Sequence, residues 1–267
     1  MKIIVLTENT TANKELKKQH GLSLYIETTK HKLLVDTGDK NVFLKNAKKL
    51  GVDISAVDTV IITHGHYDHA GGLKHFLKAN NTAKVFIQRS AFMPHYMKRF
   101  GLKINIGADK RLEAHKQIIL ADGDLQIDKE LSLIVNPQGK ELLPKQSKLL
   151  KKENGEYAQD DFAHEQSLII ADNKTLLISG CSHRGIVNIL EKAKTKTDKA
   201  VDVCIGAFHF FKLPPNDSLI TQTAERLNKE NTAFYTCHCT GVKQYEELNA
   251  VMGGKIKYLA TGQTIEI

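Results

Sequence analysis

The sequence predicts an α/β protein with two β-rich layers that face each other and helices that cover their outer sides. Short apolar segments alternate with amphipathic segments along all 267 residues, which is typical of strands alternating with helices. The two halves, about 1–140 and 160–267, repeat the order strand, small-residue turn, helix, so we expect one domain, 1–267, built by an ancient duplication. Residues of metal-binding type follow several predicted strands, which predicts a site at one edge of the layers.

The first half begins with three predicted strands, because the segments 2–8, 21–28 and 31–38 are short and rich in apolar residues. Residues 41–51 have apolar side chains at helical spacing and end at Gly51, which predicts a helix. Residues 91–116 lack a clear pattern, so we expect a loop-rich insertion there. The other predicted elements of this half are a helix at 70–80 and strands at 57–64, 83–90, 115–123 and 131–137.

A polar, lysine-rich segment at 138–160 separates the two halves. The second half resumes the alternation of short apolar runs with amphipathic segments. Its predicted strands are 165–172, 175–183, 201–210, 232–241 and a strand-like end at 255–267. Its predicted helices are 185–194, 219–230 and 241–253.

The chain carries a formal net charge of +8, mostly as scattered lysine runs. These runs lack the interleaved aromatic residues and the recognisable module of a nucleic-acid-binding protein, so nucleic acid is not an expected partner. A solvated lysine-rich surface is the simpler interpretation. A basic field that attracts an anionic small-molecule substrate is the alternative.

The composition also bears on location. No apolar stretch approaches the ~18 residues of a membrane-spanning helix, so no membrane partner is expected. The first residues, MKIIVLTENT, contain an apolar run too short for a signal peptide, and we therefore expect a cytoplasmic protein. The four cysteines all lie in the last third of the chain, which favours reduced thiols over a disulfide framework.

Three histidines and an aspartate are crowded into the segment VIITHGHYDHAGG, directly after a predicted buried strand. In an extended segment His64 and His66 project to the same side and can bind one ion. Asp68 and His69 come where the chain turns into a helix, and they can bind a second ion. Two divalent ions about 3.5–4 Å apart form a two-metal hydrolytic centre. Isolated histidines are expected on the surface or in ordinary packing: His20, His31, His75 and His115.

Other predicted strands end in similar residues. Asp36 ends the third strand, and four further candidates follow strands of the second half: Cys181, His183, His209 and His238. Because strand ends of α/β proteins meet at one edge of the sheet, we expect these residues to approach the THGHYDH loop.

The motif THGHYDHAGG resembles the signature loop of the metallo-β-lactamase superfamily, and VDTG at 35–38 resembles the aspartate turn that precedes it there. The segments GCSHRGIVNI, IGAFHF and CHCTG resemble a narrower branch, named for 7,8-dihydropterin-6-methyl-4-(β-D-ribofuranosyl)-aminobenzene-5′-phosphate synthase. The resemblance spans the whole chain. It implies a four-layer αββα sandwich, the metallo-β-lactamase fold, with a dinuclear metal site at one edge of the paired sheets.

The resemblance also implies a set of ligands. His64 and His66 would bind the first ion, and Asp68 and His69 would bind the second. His238 would be the last ligand of the second ion.

The sequence departs from the superfamily pattern at the middle ligands, where the pattern has a histidine and then a bridging aspartate at a strand end. In one interpretation His183 completes the first ion and no aspartate bridges. In the other, His164 is the middle histidine, and Cys181 occupies the bridging place as a thiolate or as a partner of a ligand. We favour His183, because GCSH resembles the branch signature as a unit.

The remaining candidates have supporting roles. His209 has no ligand counterpart in the pattern, so we expect it to face the substrate as a proton donor or as a stabiliser of developing negative charge. Packing in a strand-end loop is the alternative for His209. Asp36 is expected to accept a hydrogen bond that holds a ligand imidazole in one tautomer. For Cys237 and Cys239, small apolar packing beside the site explains their presence as well as ligation does.

These residues predict a dinuclear metal-dependent hydrolase that uses a metal-bridging hydroxide oriented by Asp68. The expected cofactors are two divalent ions, zinc first, with iron or manganese as alternatives. A phosphoester substrate is mildly favoured over a lactone or a thioester. The alternative functions are a transferase like the synthase of the branch, and a non-hydrolytic metal-binding sensor or oxidoreductase. The sequence leaves the oligomeric state open.

Overall fold

A computed structural model describes residues 1–197 and 199–267, and strands and helices alternate along the described chain. The strands are β1 (Lys2–Thr7), β2 (Ser23–Glu27), β3 (Lys32–Val35), β4 (Thr59–Ile61), β5 (Lys84–Gln88), β6 (His95–Arg99), β7 (Leu102–Asn105), β8 (Ile118–Ala121), β9 (Leu125–Gln126), β10 (Leu131–Val135), β11 (Leu149–Glu153), β12 (Glu156–Gln159), β13 (Gln166–Ala171), β14 (Thr175–Ser179), β15 (Val203–Gly206), β16 (Ala233–Thr236), β17 (Ile256–Tyr258) and β18 (Thr264–Glu266). The α-helices are α1 (Val42–Lys49), α2 (Tyr67–Ala70), α3 (Leu73–Ala79), α4 (Ile186–Lys196), α5 (Ser218–Asn228) and α6 (Val242–Met252). In the described ranges, no helix has the length and apolar character needed to cross a membrane.

Two large sheets hold most of the strands. The first sheet has the order β18-β1-β2-β3-β4-β5-β8, and the second has the order β17-β16-β15-β14-β13-β10-β9. The strands β3, β4 and β5 run parallel in the first sheet, and β14, β15 and β16 run parallel in the second. The carboxyl ends of these parallel strands therefore meet at one edge of each sheet, where sites form in α/β proteins.

The two sheets pack face to face and helices cover their outer sides. Val35 from the first sheet and Ile178 from the second share one buried core between the sheets. On the outer side of the first sheet, α1 buries Phe43. On the outer side of the second sheet, α4 and α5 bury Leu190 and Leu227. The predicted αββα sandwich is therefore confirmed, because each sheet is apolar on both faces and each helix on one.

The polar segment 138–160 does not divide the two sheets. Strands β9 and β10 precede it and already belong to the second sheet. The last strand, β18, returns to the first sheet and pairs antiparallel with β1. An origin by duplication of the two halves stays a prediction.

The segments 91–116, expected to be loop-rich, and 138–160, expected to separate the halves, contain a third, smaller sheet with the order β12-β11-β6-β7. Strands β6 and β7 form a hairpin within 91–116, and its turn places Phe100 and Gly101 at φ values of 48° and 77°. Strands β11 and β12 lie within 138–160. The expectation of a loop-rich insertion at 91–116 was wrong because its two strands, HYMKR and LKIN, are short and largely exposed, so they lack the apolar runs of buried strands.

The core between the sheets is expected to carry much of the stability. Ile178 is fully buried there. We expect Ile178→Ala to lower the free energy of unfolding by about 2–5 kcal/mol, because it removes apolar contacts and leaves a cavity. Urea unfolding at equilibrium measures the change. Lys174→Ala, in the exposed turn before the same strand, is the control and should change stability by less than about 0.5 kcal/mol. Equal losses in both variants would contradict this placement of the core.

Candidate metal centre

The THGHYDH loop leaves the carboxyl end of β4 and runs into α2, and its three histidines and its aspartate are buried. The loop packs closely against neighbouring backbone. The Tyr67 N–H donates to the Ile106 carbonyl at 2.8 Å. Only glycine fits at Gly65, because a Cβ there would lie 2.4 Å from the Ala91 carbonyl oxygen. The loop is thus held in one conformation before any ligand binds.

The side chains of His64, His66 and His183 converge on one space. Their ring centroids are 4.7 Å to 4.9 Å apart, and each ring offers a nitrogen within 4.8 Å of the other two. The Nε2 atom of each histidine is buried and has no hydrogen-bond partner among the described residues. Buried polar atoms without partners destabilise a fold, so three of them in one place indicate a site for a cation.

The other ring nitrogen is occupied in two of these histidines, which leaves Nε2 free. The Nδ1 of His183 contacts the side-chain oxygen of Gln146. The Nδ1 of His64 lies 3.2 Å from the Thr63 hydroxyl. That hydroxyl already donates to Asp36 at 2.7 Å, so it accepts from His64. A histidine that donates from Nδ1 keeps its lone pair at Nε2, which is the tautomer a metal ligand needs.

A second group brings together Asp68, His69, His238 and Cys181. The Nε2 of His238 lies 3.3 Å from an Asp68 carboxylate oxygen and 3.2 Å from the Nε2 of His69. The Cys181 sulfur also lies 3.2 Å from the Nε2 of His69. Carboxylate oxygen, imidazole nitrogen and sulfur are all ligand atoms for zinc and similar ions.

The two histidines of the second group, His69 and His238, are also each held in one tautomer. The Nδ1 of His69 lies 2.6 Å from an Asp36 carboxylate oxygen, and the Nδ1 of His238 lies 2.8 Å from the side-chain oxygen of Asn9. Both Nδ1 atoms therefore donate, which leaves the two Nε2 atoms, 3.2 Å apart, as the ligand atoms. Burial lowers the pKa of His69, but the charge and hydrogen bond of Asp36, together with other nearby carboxylates, raise it above its usual value. A cation that binds this Nε2 would displace a proton there, so the donor set of the chain fits bound metal ions.

The protonation states at the site also suit cations. Burial, together with neighbouring histidines, holds the pKa of each histidine in the first group well below its usual value. Burial alone would raise the pKa of Asp68, but its contacts with His20 and His238 lower it well below its usual value. At neutral pH the first group thus presents neutral imidazoles and Asp68 an ionised carboxylate, the forms that bind divalent ions.

His164 belongs to another group of buried side chains, which also contains His66, His95 and Asp160. The Nδ1 of His164 accepts the Gly65 N–H at 3.0 Å. Its Nε2 lies 3.5 Å from Asp160, which in turn binds the Nδ1 of His95 at 2.7 Å. His164 thus binds the backbone between the two motif histidines, and its Nε2 is also buried without a hydrogen-bond partner among the described residues. His183, in contrast, is grouped with both His64 and His66.

The sequence and the fold of this chain match known proteins. A family model of the metallo-β-lactamase superfamily matches residues 17–139. The solved structure of Tm1679, described as a metal-dependent hydrolase of the β-lactamase superfamily, is 31% identical with a TM-score of 0.85, and the match covers 100% of this chain and 99% of that one. The chain belongs to the metallo-β-lactamase superfamily.

Two curated proteins of Methanocaldococcus jannaschii are similar over nearly their whole lengths. One is named 7,8-dihydropterin-6-methyl-4-(β-D-ribofuranosyl)-aminobenzene-5′-phosphate synthase and is 29% identical, over 91% of this chain and 88% of that protein. The other is an uncharacterized protein that is 28% identical, over 92% of this chain and 93% of that protein. The resemblance recognised from the motifs is thus confirmed at the level of the superfamily, and a relative carries the name of the branch.

This metallo-β-lactamase-fold chain carries Cys181 after β14, where the superfamily pattern has an aspartate. The Cys181 sulfur lies within 4.8 Å of ligand atoms of both His64 and His69, so it reaches the two groups. Burial raises the pKa of the Cys181 thiol well above its usual value. The thiol is therefore protonated unless a cation binds it.

A cavity of about 780 Å³ opens onto the site. Asp68, His183 and Cys181 line one part of it, and the β6–β7 hairpin with Leu149 of β11 lines another. The small third sheet, which sequence reasoning missed, thus forms a wall of the cavity. A cavity of this size suits a small-molecule substrate.

His209 lines the same cavity, and its ring centroid lies 4.6 Å from that of His183. Its backbone is held at a φ of 56°. Burial, and then the charge of Lys212, lower the pKa of His209 to about 3. A neutral imidazole can donate a hydrogen bond from N–H, which favours the predicted role of stabiliser over that of proton donor.

His20 was expected on the surface or in ordinary packing, and it is exposed, but it also approaches the site. Its Nε2 lies 3.1 Å from an Asp68 carboxylate oxygen, and its side chain lines the cavity. The loop that carries it packs against α2 through Gly21, where a Cβ would lie 2.3 Å from the Asp68 carbonyl oxygen. This loop reaches the site only through tertiary packing, so no local pattern in the sequence predicts that His20 lies there.

Sequence reasoning also missed side chains that hold the second group in place. Glu8 is fully buried and accepts the His238 N–H at 2.7 Å, next to Asn9, which binds the ring of the same residue. Both directly follow β1, so the rule that polar residues at strand ends mark the site could have found them. Gln146 lies in the polar segment 138–160 and does not directly follow a predicted strand, so this rule could not have found it.

Asp36 offers a test of how the histidines are held. Asp36→Asn keeps the size of the side chain but replaces one acceptor oxygen by an amide that donates. His69 then loses its acceptor, and we expect metal affinity to fall about 10–100-fold. Competition with a chromophoric chelator measures this affinity. Asp39→Asn, in the same turn, is the matched control and should keep the affinity of the unmodified protein. An unchanged affinity in Asp36→Asn would show that this hydrogen bond does not orient a ligand.

Proposed function

We propose that this chain is a dinuclear metal-dependent hydrolase. The observation that carries the proposal is the convergence of buried Nε2 atoms that lack partners within the described ranges, from His64, His66 and His183, beside the second group around Asp68. The similarity over full length to a protein described as a metal-dependent hydrolase supports it.

The proposed ligands follow the two groups. The first ion position would be formed by His64, His66 and His183. The second would be formed by Asp68, His69 and His238. Zinc suits this mixture of imidazole and carboxylate, with iron or manganese as alternatives. When bound, two such ions supply Lewis-acid activation of a water nucleophile and of the substrate oxygen.

The side chains of the protein then position water and substrate. Asp68 is ionised and held by His20 and His238 through contacts of 3.1 Å and 3.3 Å, so its carboxylate can accept a hydrogen bond from the attacking water. His209 faces the cavity as a neutral imidazole, and its N–H can donate to the substrate oxygen that gains negative charge. Asp36 holds His69 in its orientation throughout.

A phosphoester substrate is supported by five cations that line the cavity, Lys98, Arg99, Lys103, Lys148 and Lys212. None of the five is in an ion pair within the described part of the chain. Burial and the charges of Lys148 and Arg99 lower the pKa of Lys212, which shows that like charges are concentrated there. Such a cluster attracts anions, and a phosphate group would neutralise it.

A transferase is the second candidate function. The relative named as a synthase covers nearly the whole chain, and its name contains a phosphate ester, which would suit the same cations. In this case the site would join two substrates and release no hydrolysis product. Incubation with a pterin and an aminobenzene ribofuranosyl phosphate, followed by mass spectrometry, separates the two candidates.

Metal analysis with a substrate panel tests the hydrolase. Protein reconstituted with zinc, iron or manganese should bind close to two metal equivalents and hydrolyse a phosphodiester or a phosphomonoester faster than a lactone or a thioester. His183→Ala should lose one equivalent, because a ligand of the first ion is removed, whereas His164→Ala should keep both. Elemental analysis after dialysis gives the stoichiometry.

Several results would contradict the proposal. Metal content near zero after reconstitution would exclude a dinuclear centre. Loss of an ion in His164→Ala alone would make His164 the middle ligand. Full turnover by Asp68→Ala with both ions bound would exclude the proposed role of Asp68.

The cation cluster gives a separate prediction. Lys212→Ala should raise KM for a phosphoester roughly tenfold with little change in kcat, because the lost contact to a charged group is made in the ground state and in the transition state alike. Steady-state kinetics measure both constants. Lys243→Ala, on the exposed side of α6, is the control and should leave KM unchanged. An equal rise in KM for an uncharged lactone would show that Lys212 does not act through charge.

A further inference from the structure

The site contains two cysteines that the proposed mechanism does not use. Cys181 and Cys239 are buried, 3% and 2% exposed, yet both line the cavity. The Cys239 thiol lies 3.9 Å from the Cys181 carbonyl oxygen, to which it can donate. The two sulfur atoms and a ring nitrogen of His238 all lie within 4.8 Å of one another. Two thiols and an imidazole at this separation could bind one ion together.

The backbone explains how two consecutive residues reach the same site. Successive side chains in extended backbone point to opposite sides. His238 instead has a φ of 48°, at the start of the 3₁₀ turn His238–Thr240. This strained conformation is held on both sides, since Glu8 accepts the His238 N–H at 2.7 Å and the Cys239 carbonyl accepts the Phe211 N–H at 3.0 Å. Strain that the surroundings maintain is typical of functional positions.

Cys237 lies on the other side of His238 and behaves differently. It is fully buried but lines no part of the cavity, and among the described residues it joins no group of possible ligands. The two cysteines that flank His238 thus have different surroundings: Cys237 lies in the core and Cys239 lies at the site. Apolar packing accounts for Cys237 but not for the position of Cys239.

The formal charge of the proposed site also favours further anionic ligands. The ligands proposed above carry one formal negative charge, on Asp68, against the four positive charges of two divalent ions. Buried charge that is not compensated is strongly unfavourable. In this chain a cysteine stands where the superfamily pattern has an aspartate, so even with a hydroxide bound, side chains other than Asp68 can supply further negative charge. Two thiolates would supply it, because a thiol that binds a metal ion loses its proton.

We infer that Cys239, together with Cys181, is a thiolate ligand of the second ion position. This inference rests on the proposed dinuclear centre and adds sulfur to its ligands. A position with two thiolates beside His238 favours thiophilic ions such as zinc or cadmium over manganese, because soft ligands select soft cations. Each sulfur releases one proton as its bond to the metal forms, and no electrons are transferred.

Cobalt substitution of the full-length protein tests the inference. Cobalt(II) bound to thiolate gives a charge-transfer band in the near ultraviolet, whereas its visible bands report binding by any ligand. The unmodified protein should show the near-ultraviolet band. Cys239→Ala and Cys181→Ala should each lose about half of its intensity, since each removes one of two sulfur ligands. Cys237→Ala is the matched control and should retain the full band.

Competition between CdCl₂ and MnCl₂ gives a second measurement. Cys239→Ala should reduce the preference for cadmium over manganese by more than about tenfold. Loss of a residue that only hydrogen-bonds to a metal ligand already lowers metal affinity by about that factor, and loss of a ligand itself should have a larger effect. If circular dichroism shows that Cys239→Ala does not fold, Cys239→Ser replaces it, because serine nearly preserves the volume and removes the sulfur.

The outcomes separate this inference from the hydrolase. A band of full intensity in folded Cys239→Ala, or no band in the unmodified protein with cobalt bound, would overturn the thiolate assignment while hydrolysis could remain. A band that responds to Cys239 but not to Cys237, in a protein that hydrolyses nothing in the panel, would support the thiolates and overturn the hydrolase. Failure of the unmodified protein to bind cobalt would overturn both.

Discussion

One buried carboxylate, Asp36, connects the elements on which the site depends. It is fully buried and accepts three hydrogen bonds, each between 2.6 Å and 2.7 Å, from His69 and from the N–H and hydroxyl of Thr63. Asp36 follows β3, Thr63 follows β4, and His69 lies in α2, so one side chain joins two parallel strands to a helix. A buried carboxylate without these donors would be strongly unfavourable, which couples the folding of this edge to the orientation of the histidines.

The same edge concentrates backbone strain. Asp36, Ser182, His209 and His238 all have positive φ values, between 48° and 59°, and each lies just beyond a strand. A residue with a Cβ in this region costs of order 1–2 kcal/mol. The rigid sheets on which these turns rest maintain the strain, and the turns direct side chains into a space that a regular strand end would not reach. The geometry of the site and the local backbone strain therefore have the same origin here.

Most of the large sheets follow from local patterns, because buried strands are apolar runs and outer helices are amphipathic. The β6–β7 hairpin escaped this reasoning, since its strand HYMKR and its exposed residues Phe100 and Leu102 show neither pattern. The partners of the histidines escaped it for another reason. Asn9 lies 229 residues from His238 in the chain, and Gln146 lies 37 residues from His183, so no spacing relates them.

The sequence by itself determined the superfamily and the residues that the loop 64–69 contributes, because ligand-type residues within one short segment stay close together in any fold. It also predicted that the second half contributes to the site, since several of its strands end in residues of ligand type. Only the tertiary structure decided that His183 joins His64 and His66, that His164 supports Gly65 instead, and that His20 and Cys239 reach the site. These contacts form only when the two sheets pack face to face, and their distances depend on the whole core rather than on any local pattern.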